Sequence, residues 1–420
     1  MNQHVKFITT IARKLEEASI SYTFIEEAAL LLQGVNVPVK TTKVLVQWDV
    51  FSNCYNTFAG EECSAIEKTP TTYTFTVQFE EGNVEVSCIL NTTIRTDPYR
   101  INENGVWCRS LYSYLYGSDF TVYTHEIVDF LHSKQQEYTA HNEQAWNQNN
   151  YQALITRYGE PAVIASKIKQ NPEWRLYPFL KYMPDLEGKK VLHLLGSNGV
   201  KATAMALLGA NVTVVDFSQE NAKFADEVSR EAGVQIDYIV SDVFSLPVEQ
   251  MREQYDYVLM ELGVLHYFIT LEPLMKLIRT LLNENGVYIL HEFHPISTKL
   301  ITSSGKKHKV TGNYFAPELT YNTVAFSKHM PDGVQEVLMQ TVQRKWTIGE
   351  LITSVAQSGL MIKVLEEEPN HKLHDMGLPK TYTLVATSSH YIVEFSFGPR
   401  ASEFESSTKK IPKRTSRLRI

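Results

Sequence analysis

The chain has 420 residues, enough for two or three domains, and its 43% hydrophobic and 21% charged residues are a globular composition. A net charge of -7 gives no general pull toward nucleic acid or membrane surfaces, and no apolar run approaches the roughly 18 residues of a membrane span. Cys54, Cys63, Cys88 and Cys108 match no metal-binding spacing and read as free thiols of a reducing, cytoplasmic compartment, and the N-terminus lacks the apolar core of a signal peptide.

Residues 1–135 read as an α+β unit. A helix over 5–18 leads to a strand at 22–26, a helix at 27–33 and strands at 43–48, 72–79 and 84–90. The last two flank Glu80, Glu81, Gly82 and Asn83 and form a hairpin. Helices are expected at 111–116 and 124–133. From 132 to 150 the chain is rich in Gln and Asn, which suggests a linker running into a helix near 142–158.

Strands and helices alternate from Gly188 onward, the mark of a parallel sheet, and this second unit is expected to span 136–390. Strands are predicted at 191–195, 212–216, 236–240, 255–260 and 287–291, with helices at 200–208, 219–232 and 271–283. Residues 283–286 read as a turn. Residues 297–345 break the alternation and read as an insertion. A helix at 348–358 and strands at 361–366 and 381–387 close the unit. Lys409, Lys410, Lys413, Arg414, Arg417 and Arg419 crowd the segment 391–420, which is expected to be a disordered basic tail.

The most informative stretch is Val191-Leu192-His193-Leu194-Leu195-Gly196-Ser197-Asn198-Gly199. An apolar strand enters a glycine turn that opens a helix, and a second apolar strand ends on Asp216, about twenty residues beyond the first glycine. Glycines let backbone approach a ligand, and a carboxylate at that strand tip can accept from two ribose hydroxyls. A nucleoside cofactor follows. The dinucleotide fingerprint fails, because Asn198 and Lys201 stand where glycines are needed.

Over about residues 140–390 this order of pieces resembles a class I S-adenosylmethionine-dependent methyltransferase. The resemblance implies an α/β, Rossmann-like seven-stranded sheet, mostly parallel with its last strand antiparallel, beside the smaller α+β unit. It also implies S-adenosylmethionine as cofactor and no metal. Gly196, Ser197, Asn198 and Gly199 would pack under the methionine part, Asp216 with Phe217 would hold the ribose, and Asp242 with Val243 would lie by the adenine. Glu261 and Leu262, after the fourth strand, would face cofactor and substrate. Two departures stand out: His193 occupies the usual acidic position before the turn, and Asn198 the usual middle glycine.

The segment Glu261-Leu262-Gly263-Val264 lacks the Asn/Asp-Pro-Pro-aromatic element of enzymes that methylate base amino groups. No cysteine follows Cys108 to serve a cytosine-C5 mechanism. An O-, N- or S-methyltransferase of a small molecule remains. The alternatives are an RNA or protein methyltransferase, for which the tail could add phosphate contacts, and a non-catalytic cofactor-binding regulator. His266, His291 and His294 fall at the ligand-binding ends of strands four and five and are candidate general bases, with Glu261 and Glu292 able to orient them. Trp146, Tyr151 and Tyr158 could form a lid, and His308, Tyr314, Phe315, Tyr321 and His329 a substrate cap. The N-terminal unit is weakly similar to a nucleotidyltransferase domain, but a degenerate one. Glu26-Glu27 occupies the small-residue turn, and Asp49 and Glu85 are too few for a two-metal site.

Overall fold

The computed structural model describes residues 2–116, 122–304, 307–330, 334, 337–370 and 377–388. The expected basic tail lies outside the described residues. No helix among them is long and apolar enough to cross a membrane.

Helix α1 (Gln3–Glu17) buries Phe7, Ile8, Ile11, Ala12 and Leu15, one stripe at helical spacing, and the Asn2 side chain caps its start. Then come β1 (Tyr22–Ile25), α2 (Glu26–Leu32), β2 (Thr41–Val46), α3 (Phe51–Thr57), β3 (Glu62–Cys63), β4 (Glu67–Lys68), β5 (Thr72–Phe79), β6 (Gly82–Ile89), β7 (Arg100–Glu103), β8 (Val106–Arg109) and α4 (Tyr112–Tyr116). One mixed sheet runs β3-β5-β6-β2-β1-β8-β7, with β4 also on β5. The hairpin β5–β6 pairs Phe79 with Gly82 across Glu80-Glu81. On β2, Thr42, Val44 and Val46 point inward, the two-residue period of a half-buried strand. Lys43 points the other way and pairs with Glu26 at 2.7 Å. All four cysteines are free, with Cys54, Cys88 and Cys108 buried.

The expected linker is instead helical. Helix α5 (Thr124–Trp146) runs unbroken through it, and α6 (Asn150–Tyr158) follows after a short break. Its polar composition misleads because two of its amides are buried and bonded across a contact. Asn142 Nδ2 donates to the Val342 carbonyl at 3.0 Å, and Asn142 Oδ1 accepts the Val342 amide at 2.7 Å. Gln135 is likewise buried. Ile127 and Leu131 belong to the core of the first sheet, so the expected boundary at 135 falls inside one helix.

Helices α7 (Pro161–Gln170) and α8 (Pro172–Arg175) lead into the second sheet. Its members are β9 (Lys190–Leu194), β10 (Asn211–Asp216), β11 (Asp237–Val240), β12 (Tyr255–Glu261) and β13 (Leu282–Phe293), with β18 (Leu360–Pro369) and β19 (Pro379–Ser388). The order is β11-β10-β9-β12-β13-β19-β18, and only β19 runs antiparallel to its neighbours. The crossover helices are α9 (Val200–Leu207), α10 (Gln219–Ala232), α11 (Val248–Met251), α12 (Glu272–Leu281) and α13 (Ile348–Gln357). One face carries Leu192, Met260 and Leu290 against α12 and α13; the other carries Val191, Leu259 and Ile289 under α7, α9 and α10. The expected turn at 283–286 is a bulge within β13, where the pairing jumps from Tyr255–Leu282 to Tyr257–Val287. The insertion holds the hairpin β14 (Ile301–Ser304) with β15 (Lys307–Val310), and β16 (Leu319–Asn322) paired with β17 (Thr341–Arg344). Arg344, 1% exposed, lies between the Tyr112 and Trp346 rings at 3.8 and 3.6 Å and pairs with Glu350.

Candidate active site

The turn after β9 is tightly built. Gly199 has φ +68°, and a Cβ there would lie 2.4 Å from the Ala225 Cβ on α10. A Cβ on Gly196 would meet His193 Nδ1 at 2.8 Å and Val214 at 2.7 Å. Asn198 needs no glycine conformation: its Oδ1 accepts the Val200 amide at 3.2 Å and starts α9. Ser197 sits at φ 48° and donates its amide to Asp216 Oδ2 at 3.1 Å.

Asp216 ends β10 almost fully buried. Its Oδ1 accepts from the Ser218 amide at 2.9 Å and the Asn221 side chain at 3.4 Å. Burial pushes its carboxyl up to about 6, against the pull of those three donors. Oδ2, with one protein donor, keeps accepting capacity at the cleft it lines. That cleft lies at the ends of β10 and β11, with Asp216, Phe217, Ser241, Asp242 and Val243 in its lining. Gln135 and Thr139 of α5 line it as well, together with Leu195, Tyr267 and Phe268. Burial also raises Asp242, partly offset by the amides of Phe244 and Val243.

On the face of the sheet shared by Val191, a polar row crosses the strand ends. Glu261 pairs with His291 in register, and His291 with Thr383. The Glu261 carboxylate contacts Lys201 of α9 and lies 3.6 Å from His193 Nε2. His193 has neither ring nitrogen hydrogen-bonded, and burial drives it down to about 3, so it is neutral. The Lys201 ammonium also sits 5.1 Å from the Phe179 ring centroid. Ser197 Oγ is buried without a partner.

The three candidate bases separate. His294 spends both nitrogens: Nε2 meets Glu367 at 2.7 Å and Nδ1 accepts the Ile296 amide at 3.2 Å. His291 Nδ1 meets Thr383 Oγ1 at 2.9 Å, beneath the Phe179 ring. His266 has a buried Nε2 with no partner and lines a second cavity. Burial, then the charge of Lys345, lowers it to about 4. Glu292 does not orient a histidine. Its carboxylate accepts the amides of Gly263 at 2.5 Å, Val264 at 3.0 Å, Leu265 at 3.3 Å and Phe293 at 2.7 Å, and so shapes the loop that carries His266. Leu262, at φ 42°, begins that loop and is partly exposed.

Of the expected lid, Trp146 reaches the cleft region and donates Nε1 to Tyr267 OH at 3.0 Å. Tyr151 and Tyr158 pack on Phe224 of α10 instead. The expected cap residues His308, Tyr314, Phe315, Tyr321 and His329 line neither cavity. Thr298, Gln343, Lys345 and Trp346 supply that wall. Gln135, Thr139, Lys201 and Lys345 were missed because isolated polar residues on helices or at strand ends carry no local signal. Gln135 is marked by its depth, which is not visible in one sequence.

The sheet order and the glycine turn define a class I, Rossmann-like fold. Residues 193–290 match the family described as "Methyltransferase domain", so the chain carries a methyltransferase domain. A ubiquinone biosynthesis O-methyltransferase from Xanthomonas euvesicatoria pv. vesicatoria is 42% identical over 66 residues, 16% of this chain and 28% of that protein. One of the same name from Bordetella pertussis is 32% identical over 108 residues, 26% of this chain and 44% of that protein. The chain thus spans less than half the length of these curated relatives. Among solved structures, an S-adenosylmethionine-dependent methyltransferase from Mesorhizobium loti is similar at 19% identity and TM-score 0.40, over 52% of this chain and 99% of that one. Magnesium protoporphyrin IX methyltransferase from Synechocystis PCC 6803 with bound S-adenosylhomocysteine is similar at 15% identity and TM-score 0.36, over 59% and 97%.

Proposed function

We propose that the chain is an S-adenosylmethionine-dependent methyltransferase acting on a hydroxyl of a small molecule. The observation that carries this reading is the cleft with Asp216 at the end of β10 and Asp242 at the end of β11. When bound, S-adenosylmethionine supplies an electrophilic methyl group on a sulfonium. Asp216 Oδ2 has the lone pairs to accept from ribose hydroxyls, and Asp242, Phe217 and Val243 offer an acceptor and apolar surface to a nucleobase. Lys201, Glu261 and the partnerless Ser197 Oγ form a donor set of both signs beside the glycine turn. That set fits the carboxylate and ammonium of a methionine moiety. It also accounts for the missing acid at His193, because Glu261 brings a carboxylate to within 3.6 Å of that position from β12.

His266 Nε2 takes the proton of the acceptor hydroxyl. It is the candidate histidine nitrogen that is buried and unpartnered, on a side chain that lines a cavity, and its lowered basicity keeps it neutral near pH 7. The names of the curated relatives agree with oxygen as the acceptor atom. The test is calorimetric binding of S-adenosylhomocysteine to the wild type and to Asp216→Ala, with acceptor turnover read as S-adenosylhomocysteine release. Binding that weakens by about 10- to 100-fold in the variant is expected from lost charge-assisted hydrogen bonds. No binding by the folded wild type would overturn the reading.

A further inference from the structure

The second cavity is chemically lopsided. Phe293, Trp346 and Tyr382 give it flat apolar walls, and Trp346 is held in place by its indole N–H on the Leu265 carbonyl at 3.0 Å. The same lining holds one cation, Lys345. The Lys345 ammonium donates to the Thr298 carbonyl at 2.7 Å and, among the described residues, makes no ion pair. Lys299 Nζ donates to the Lys345 carbonyl at 2.8 Å and to the Ala316 carbonyl at 2.7 Å, which fixes the Lys345 backbone. The carboxylate lining this cavity, Glu292, accepts from four backbone amides and, among the described residues, forms no ion pair with Lys345.

A cation held at the edge of an aromatic-walled cavity selects for an anionic group on a flat ligand, since the walls reward ring burial and the ammonium rewards one negative charge. We infer that this cavity takes a planar aromatic acid, with its ring against Trp346 and Tyr382 and its carboxylate on Lys345. This rests on the acceptor reading above and narrows it: the methyl acceptor is an aromatic hydroxy-acid and not a neutral phenol. Lys345 then discriminates between ligands, while His266 handles the proton.

The test is calorimetry on the full chain with two probes that share the dihydroxyphenyl ring and differ by one carboxylate, 3,4-dihydroxybenzoate and catechol. Wild type, Lys345→Met and Lys345→Arg are compared, with S-adenosylhomocysteine formation measured in parallel. The wild type and Lys345→Arg should bind the acid at least tenfold tighter than catechol, and Lys345→Met should bind both alike. Equal binding of the two probes by the wild type, binding of neither, or a preference that survives in Lys345→Met overturns the inference. An acid preference that depends on Lys345, with no methyl transfer from bound cofactor to any acceptor, would uphold the cation's role and remove the proposed activity instead.

Discussion

The Ile269 amide donates to Gln135 Oε1 at 2.8 Å, while Gln135 Nε2 donates to the Tyr267 carbonyl at 2.9 Å. One side chain of α5 thus holds the segment after the fourth strand at Tyr267 and Ile269. That segment carries His266 toward one cavity and Tyr267 toward the other. Gln135→Ala leaves two buried backbone groups unpaired, a cost of about 1–3 kcal/mol for each that water cannot reach. Thermal unfolding should fall accordingly, and S-adenosylhomocysteine should bind more weakly, because Tyr267 and Phe268 line its cleft.

Asp216 predicts a pH dependence with a defined sign. Its carboxyl is raised from the ordinary 3.8 to about 6, so the folded chain holds that proton more tightly than the unfolded chain. The associated stability is full below about pH 4 and is lost as pH rises through 6, by roughly 1–3 kcal/mol. Cofactor binding runs the other way, since ribose hydroxyls donate to the ionised form. Affinity for S-adenosylhomocysteine should fall about tenfold per unit below pH 6. Titration calorimetry from pH 5 to 8 checks this, and Asp216→Asn should give a flat profile.

His266 and His294 should fail differently. His266→Asn is expected to lower kcat by about 10²–10⁴-fold while leaving cofactor affinity near wild type. Because burial holds His266 at about 4, kcat at saturation should persist below the pH at which Asp216 weakens binding. His294→Asn breaks the contacts to Glu367 and Ile296 and should lower thermal stability without a selective loss of kcat. Equal kcat losses in the two variants at equal stability would refute the assignment.

Gly199→Ala places a methyl group 2.4 Å from the Ala225 Cβ and imposes φ +68° on a residue with a Cβ. Overpacking and backbone strain together should cost about 2–4 kcal/mol. Chemical denaturation measures it, and a loss under 1 kcal/mol would mean that α10 yields more readily than its packing implies.

The second sheet was largely legible because its parallel strands carry short apolar runs closed by polar punctuation. Gln219–Ala232 begins on the Ser218 cap and ends on Gly233 at φ +76°, both visible in the chain. The tip residue Asp216 followed from its place after an apolar strand, and Asp242 from the family resemblance. What stayed hidden depends on partners far away in sequence. Asn142 and Val342 are 200 residues apart, and nothing local says that an Asn-rich stretch will satisfy a strand. Arg344 gives no hint of burial until Tyr112, Trp346 and Glu350 converge on it. The separation of the three histidines is likewise tertiary: Glu367 and Thr383, which occupy two of them, arrive from the last two strands.

Helix α5, at 23 residues, is about 34 Å long and belongs to both halves of the molecule. A gene fragment starting at residue 136, the natural cut by composition, would discard Gln135 and the helical turns seated in the first core, and leave Thr139 on a frayed end. The half that holds the candidate site therefore shares a helix with the first core. Recombination that shuffles these halves as separate modules must carry this helix with both of them, and a fragment chosen for crystallisation or inhibitor screening should begin before Thr124.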